Sequence, residues 1–187
     1  MNAYAEMKKK HQEEVNAFPM VFAFGKEQFA EAMKKLGLKT KDTDKVCTIY
    51  GAGDIMRKSD VPAYREMTLR HRKEFEDAVA ADKTGDGFIY DMFDYELANH
   101  EYGYTRNPSD ALAALGVSRK AIEKDPRLAR GFRKACKHQE DWFDENNGGG
   151  YRRGKRQDYG FYGRPAGQLR RSVPLPRNGK GVYPAGV

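Results

Sequence analysis

The chain has 187 residues, of which 34 are Lys or Arg and 27 Asp or Glu, for a formal net charge of +7. That length suits one domain of ordinary size with an appendage rather than two full domains. No apolar run approaches the ~18–20 residues a membrane-spanning helix needs, and two lone cysteines, Cys47 and Cys136, supply neither a disulfide framework nor a zinc site.

In chain order, residues 3–17 read as a helix capped by Asn2, with Tyr4, Met7, His11, Val15 and Phe18 as its apolar stripe. Its start lacks the hydrophobic core of a signal peptide, so export by that route is not expected and a place in the cytoplasm is. After Pro19, Met20-Val21-Phe22-Ala23-Phe24 predicts a short buried strand. Helical spacing returns over 26–36, with Gly37 as its left-handed cap. Val46–Tyr50 and Asp54–Arg57 predict two further strands joined through Gly51-Ala52-Gly53. A long helix over about 61–81 follows, capped by Ser59 or Asp60 with Pro62 in its first turn and Tyr64, Met67, His71, Phe75 and Ala78 as its stripe. Residues 88–102 are apolar on several faces, which predicts a central helix. Asn107-Pro108 and Asp125-Pro126 each place a capping residue before a proline, and Gly116 closes the helix between them. The last helix runs to about residue 145 with Leu128, Phe132, Cys136 and Trp142 inward. The expected class is α+β: a mainly helical domain over 1–145, packed on a small three-stranded antiparallel sheet.

Residues 146–187 differ in kind. They hold nine basic residues against the single acid Asp158, or +8, which leaves 25 basic against 26 acidic residues, or −1, for positions 1–145. Ten glycines and four prolines accompany few aliphatic side chains. Such a composition buries too little apolar surface to offset the entropy of ordering, so this tail is expected to be disordered when free. Tyr151, Tyr159, Phe161, Tyr162 and Tyr183 interleave with Arg152, Arg153, Lys155, Arg156, Arg164, Arg170, Arg171, Arg177 and Lys180. Arginine pairs with phosphate and aromatic rings stack on unpaired bases, so these residues up to Lys180, Tyr183 not included, are the candidate nucleic-acid or partner-binding set. Neutralising nine phosphates would give a log–log salt slope of roughly −6 to −8. The competing readings are an arm for an acidic protein face and a merely solvated tail.

Other motifs are weaker. Asp82-Lys83-Thr84-Gly85-Asp86-Gly87-Phe88-Ile89 follows the start of a calcium-binding EF-hand loop, but the position that needs a bidentate glutamate holds Phe93. The alternative is a turn between helices capped by Asp86. Glu96 and His100 lie four apart near Asp91 and Asp94, two ligands at a defined spacing where zinc wants three or four. His11 and His71 sit on apolar stripes, where hydrogen-bonded core histidines are the commoner outcome. Gly51-Ala52-Gly53 fails as a dinucleotide-binding turn because Met56 stands at the third glycine position. Both cysteines read as inert packing. No catalytic residue, metal ligand or cofactor is assigned.

Tyr4–Lys8, His11–Pro19, Ala81–Gly85, Gly87–Phe93 and Tyr95–Tyr102 together resemble a family of small uncharacterised proteins carried by prophages and conjugative elements of gut bacteria, over roughly residues 1–140. The resemblance implies a setting in a bacterial host cell and no activity. Accessory proteins of mobile elements include inhibitors of host defence nucleases such as Cas effectors. The expectation is therefore a non-enzymatic protein that binds nucleic acid or a nucleoprotein, a Cas-type nuclease complex among them, as a stoichiometric inhibitor. A protein-only adaptor of the element is the alternative, and a metal-dependent enzyme or calcium-binding protein centred on 82–100 the second.

Overall fold

The computed structural model describes residues 2–147. Helix α1 (Ala3–Ala17) starts where predicted, the Asn2 side chain accepting from the Ala5 amide at 2.8 Å. The sheet joins β1 (Met20–Phe22), β2 (Val46–Cys47) and β3 (Asp54–Arg57) in the order β1-β3-β2, all antiparallel, with Val21 opposite Ile55 and Cys47 opposite Met56. This α+β architecture is the one the residues predict. Helix α2 (Lys26–Lys35) covers one side of the sheet through Ala32 and Leu36, which pack with Ile55, Val21 and Ala23.

Strands β1 and β2 are shorter than expected, β3 has the expected bounds, and β1 is not buried: Phe22 and, just past the strand, Phe24 are exposed. Alternating side chains face opposite ways along a strand, and only the Val21 and Ala23 face has the α2 cluster over it. Between β2 and β3, the buried Asp54 carboxylate accepts from the amides of Ile49, Tyr50 and Ala52. A side chain therefore holds this loop where ladder bonds between longer strands were expected.

Helix α3 (Val61–Ala81) and α4 (Phe88–Asn99) follow. As predicted, α4 is central: Ile89, Met92, Phe93 and Leu97 are wholly buried in one core with Tyr4, Tyr102, Leu112, Ile122 and Ala135. The helix ends at Asn99, because Glu101 turns to positive φ and the chain restarts as α5 (Tyr102–Thr105). Neither residue at that break is a glycine, so one helix was expected where there are two. Helix α6 (Ser109–Leu115) is closed by Gly116 as expected. Helix α7 (Arg119–Lys124) was not foreseen; Ser118, which accepts from the Ala121 amide at 3.1 Å, is its marker. Helix α8 (Pro126–Asn146) begins at the Asp125 cap and runs along α4 and α5.

Candidate functional site

The calcium-like turn between α3 and α4 is committed to the protein's own groups. The Asp82 carboxylate accepts from the amides of Thr84 (3.1 Å), Gly85 (2.8 Å), Gly87 (3.0 Å) and Ile89 (3.1 Å). Burial alone would raise its pKa. The amides of Ile89, Gly85, Thr84 and Gly87 outweigh that, because they favour the ionised form, and hold it below the ordinary carboxylate range. Asp82, not Asp86, therefore caps α4. Asp86 instead pairs with Arg130 (2.7 Å) and Lys134 (3.2 Å) on α8, which lower its pKa. The Arg127 guanidinium donates to the carbonyls of Val79 and Asp82 at the end of α3. Gly85, at φ 79°, lets α8 come so close that a Cβ there would lie 2.2 Å from the Arg127 carbonyl oxygen. Phe93, at the position that calcium would need filled by a glutamate, is fully buried in the core.

The other candidate ligands are likewise drawn into contacts between helices. Glu96, almost fully buried, receives the Tyr4 hydroxyl and the Lys8 ammonium, both at 2.7 Å, and lies 3.6 Å from His100. These bonds tie α1 to α4. Burial, reinforced by Glu96, raises the Tyr4 pKa. His11 and His71 stack face to face at 3.9 Å, and each meets a glutamate of the opposite helix: His11 with Glu74, His71 with Glu14, both at 2.9 Å. Arg70 binds both glutamates. Hydrogen bonds from Arg70 and His71 bring Glu14 down to about 2, and those from His11 and Arg70 bring Glu74 down to about 2. Burial pushes the Cys136 thiol up to about 12, so it stays protonated at neutral pH. Among the described residues, no group of three or more His, Cys, Asp or Glu is arranged to hold a metal ion. No helix among them is long and apolar enough to cross a membrane.

A groove left open among the described residues lies at the end of α8. It has a volume of about 580 Å³ and is lined by Ala98 near the end of α4, Glu101 at the break after it, Gly103 and Tyr104 from α5, and His138, Gln139, Trp142 and Phe143 from α8. Gly103 permits the close approach that forms its floor, since a Cβ there would lie 2.9 Å from the Gln139 carbonyl oxygen. Arg106 crosses the Phe143 ring at 5.8 Å and pairs with Asp144 at 3.0 Å. Tyr104 is 72% exposed and Trp142 54% exposed, which corrects the expectation that Trp142 faces a core. The other members of the predicted stripe, Leu128, Phe132 and Cys136, do pack against the core. Leu128, Ala135 and Trp142 are spaced by seven, which returns to within roughly 20° of the same side of a helix. Helix α4 ends at Asn99, however, and α5, which takes over against the last turns of α8, packs on Phe143 and leaves Trp142 half exposed. The groove was missed because no residue type marks it.

The tail residues assigned to binding, Tyr151 to Lys180, lie outside the described residues. Comparison with curated proteins and with solved structures finds no match. A family model does match, over residues 3–138, a span that includes the Asp82 turn and the histidine stack and stops short of Trp142 and the tail. The chain belongs to that family, the family of unknown function DUF7659.

Proposed function

We propose that this protein is a non-enzymatic binding protein that takes up nucleic acid, alone or within a nucleoprotein, through its basic and aromatic C-terminal segment. The segregation of charge carries this reading: nine basic residues against one acid over 146–187, beside a domain of 25 basic and 26 acidic residues. Within the domain many cations are matched by carboxylates, among them Lys8 by Glu96, Arg127 by Asp125, Arg130 by Asp86 and Lys137 by Asp141. The tail's own sequence offers its nine cations only the carboxylate of Asp158, and a polyphosphate strand with unpaired bases fits a run of arginines interleaved with aromatic rings. The commitment of Asp82, Asp86, Glu96 and the Cys136 thiol to internal contacts supports a binding role over a catalytic one.

The test is fluorescence anisotropy with labelled single- and double-stranded DNA and RNA across a salt series. The full chain should bind with a log–log slope of roughly −6 to −8 if all nine basic residues contact phosphate, and proportionately less if fewer do. A chain truncated after Asn147 should lose most of that binding. Equal binding by the two chains, or none by either at moderate salt, would overturn the reading.

A further inference from the structure

The groove beside Trp142 is mainly aromatic and apolar, with Glu101 as its acid, and the end of α8 next to it is acidic. Residues 138–147 contain Glu140, Asp141, Asp144 and Glu145 and no Lys or Arg. Asp141 is paired with Lys137 and Asp144 with Arg106, whereas Glu145 and the groove-lining Glu101 make no ion pair among the described residues. The last turn of α8 also has no basic residue. A helix C-terminus carries partial negative charge from its unsatisfied carbonyls and is stabilised by nearby cations. Asn146 and Asn147 donate to the Trp142 and Phe143 carbonyls, which answers two of these groups but adds no positive charge. Half-exposed aromatic rings, free carboxylates and an uncompensated helix end thus meet at one place. The chemistry that fits them is a short peptide of arginines with an aromatic side chain, since guanidinium groups both pair with carboxylates and stack on indole faces.

Such a peptide leaves the same helix end. Tyr151-Arg152-Arg153-Gly154-Lys155-Arg156 follows α8 after Asn147 and three glycines, Gly148–Gly150. Trp142 lies five residues before Asn147, roughly 7.5 Å along the helix axis. Three residues span up to roughly 10 Å, and glycine takes the positive φ values that a tight reversal needs. The reach suffices for the chain to return to its own groove. We infer that residues 151–156 dock in cis on the groove formed by Glu101, Tyr104, Trp142 and Phe143, so that the first four cations of the tail are held against the end of α8 until a stronger polyanion competes for them. The inference does not depend on the nucleic-acid reading, because docking is measured with no nucleic acid present.

Trp142 is the sole tryptophan of the chain, so its emission reports this groove alone. Acrylamide, a neutral quencher, would be titrated into the full chain and into full-length R152S/R153S/K155S/R156S, whose changes all lie outside the helical domain. At low salt the wild-type quenching constant should be about twofold below the variant's, and salt near 1 M, where the screening length is roughly 3 Å, should close the gap. The double substitution E101Q/E145Q should remove part of the same protection, with an unchanged far-ultraviolet circular dichroism spectrum confirming its fold. Equal quenching of wild type and tail variant at low salt would overturn the inference. Protection that grows with protein concentration would overturn it too, by assigning the groove to the tail of a second copy.

Discussion

The turn at 82–87 and the last two turns of α8 are opposite solutions to the placing of polar groups. In the turn, the Asp82 carboxylate meets four amides, Asp86 meets two cations from α8, and Arg127 closes the carbonyls at the end of α3. Little polar capacity remains there for a ligand. At the end of α8, by contrast, Glu101 and Glu145 have no cation among the described residues, the last turn of the helix has no basic residue, and Trp142 and Tyr104 stand half or more exposed. The segment that most resembles a ligand loop is a structural joint, and an ordinary-looking helix end is the open surface. Motif chemistry indicates which groups are present. Whether they are available depends on what the fold has already spent them on.

Substitutions sharpen this contrast. The largest effect belongs to Phe93→Ala, which empties a fully buried position of the core and should cost about 3–5 kcal/mol. In a protein of this size that lowers Tm by roughly 6–20 °C in a thermal melt. A loss under about 1 kcal/mol would contradict the burial of that side chain. Next comes Gly85→Ala, where a Cβ would meet the Arg127 carbonyl oxygen at 2.2 Å and φ is 79°. Its cost should be about 3 kcal/mol, against about 1 kcal/mol for Gly116→Ala, which shares the left-handed backbone but has open space around it. Equal Tm losses for the two would mean that α8 does not press on the turn.

Asp82→Asn ranks third, at about 2 kcal/mol near neutral pH, because an amide cannot match an ionised carboxylate as acceptor for several N–H groups. Its pH dependence has a definite sign. The folded-state pKa lies below the ordinary aspartate value of 3.8, so the carboxylate's contribution is complete above 3.8 and is lost as pH falls through the folded value. Stability measured by denaturant across pH should therefore show the wild-type advantage over Asp82→Asn shrinking on acidification below 3.8; an advantage that grows there would refute the hydrogen-bonding account. The smallest effect is Trp142→Ala, which removes an aromatic ring as Phe93→Ala does but from a half-exposed site. It should change stability by less than about 1 kcal/mol, as substitutions at exposed sites usually do. A loss comparable to that of Phe93→Ala would mean the ring is covered by more than the described residues provide.

Much of the fold was legible in the residues, because it rests on local rules. Asn2 and Asp125 cap helices since a short side-chain oxygen reaches the first free amides, and Gly116 ends one since it tolerates the left-handed backbone. The central place of α4 was legible from its apolar faces. The break at Glu101 was not, because a residue with no local preference for it takes positive φ there. Nor was the exposure of Phe22, Phe24 and Trp142, since a period names a face without saying what lies opposite. The proposed binding residues Tyr151 to Lys180 rest on composition alone, whereas the groove at the end of α8 emerged only from three helices meeting.

Composition and local pattern thus determined the class of fold, the helix boundaries marked by caps, and the separation of a near-neutral domain from a basic tail. These depend on interactions within a few residues or on charge counted along the chain. Tertiary structure alone decided that Asp82 faces amides, that His11 stacks on His71, that Glu96 joins α1 to α4, and that α5 packs on Phe143 at the end of α8 and leaves Trp142 half exposed. Each of these depends on elements distant in sequence arriving at one place, and it is their arrival that consumes a polar group or leaves it free.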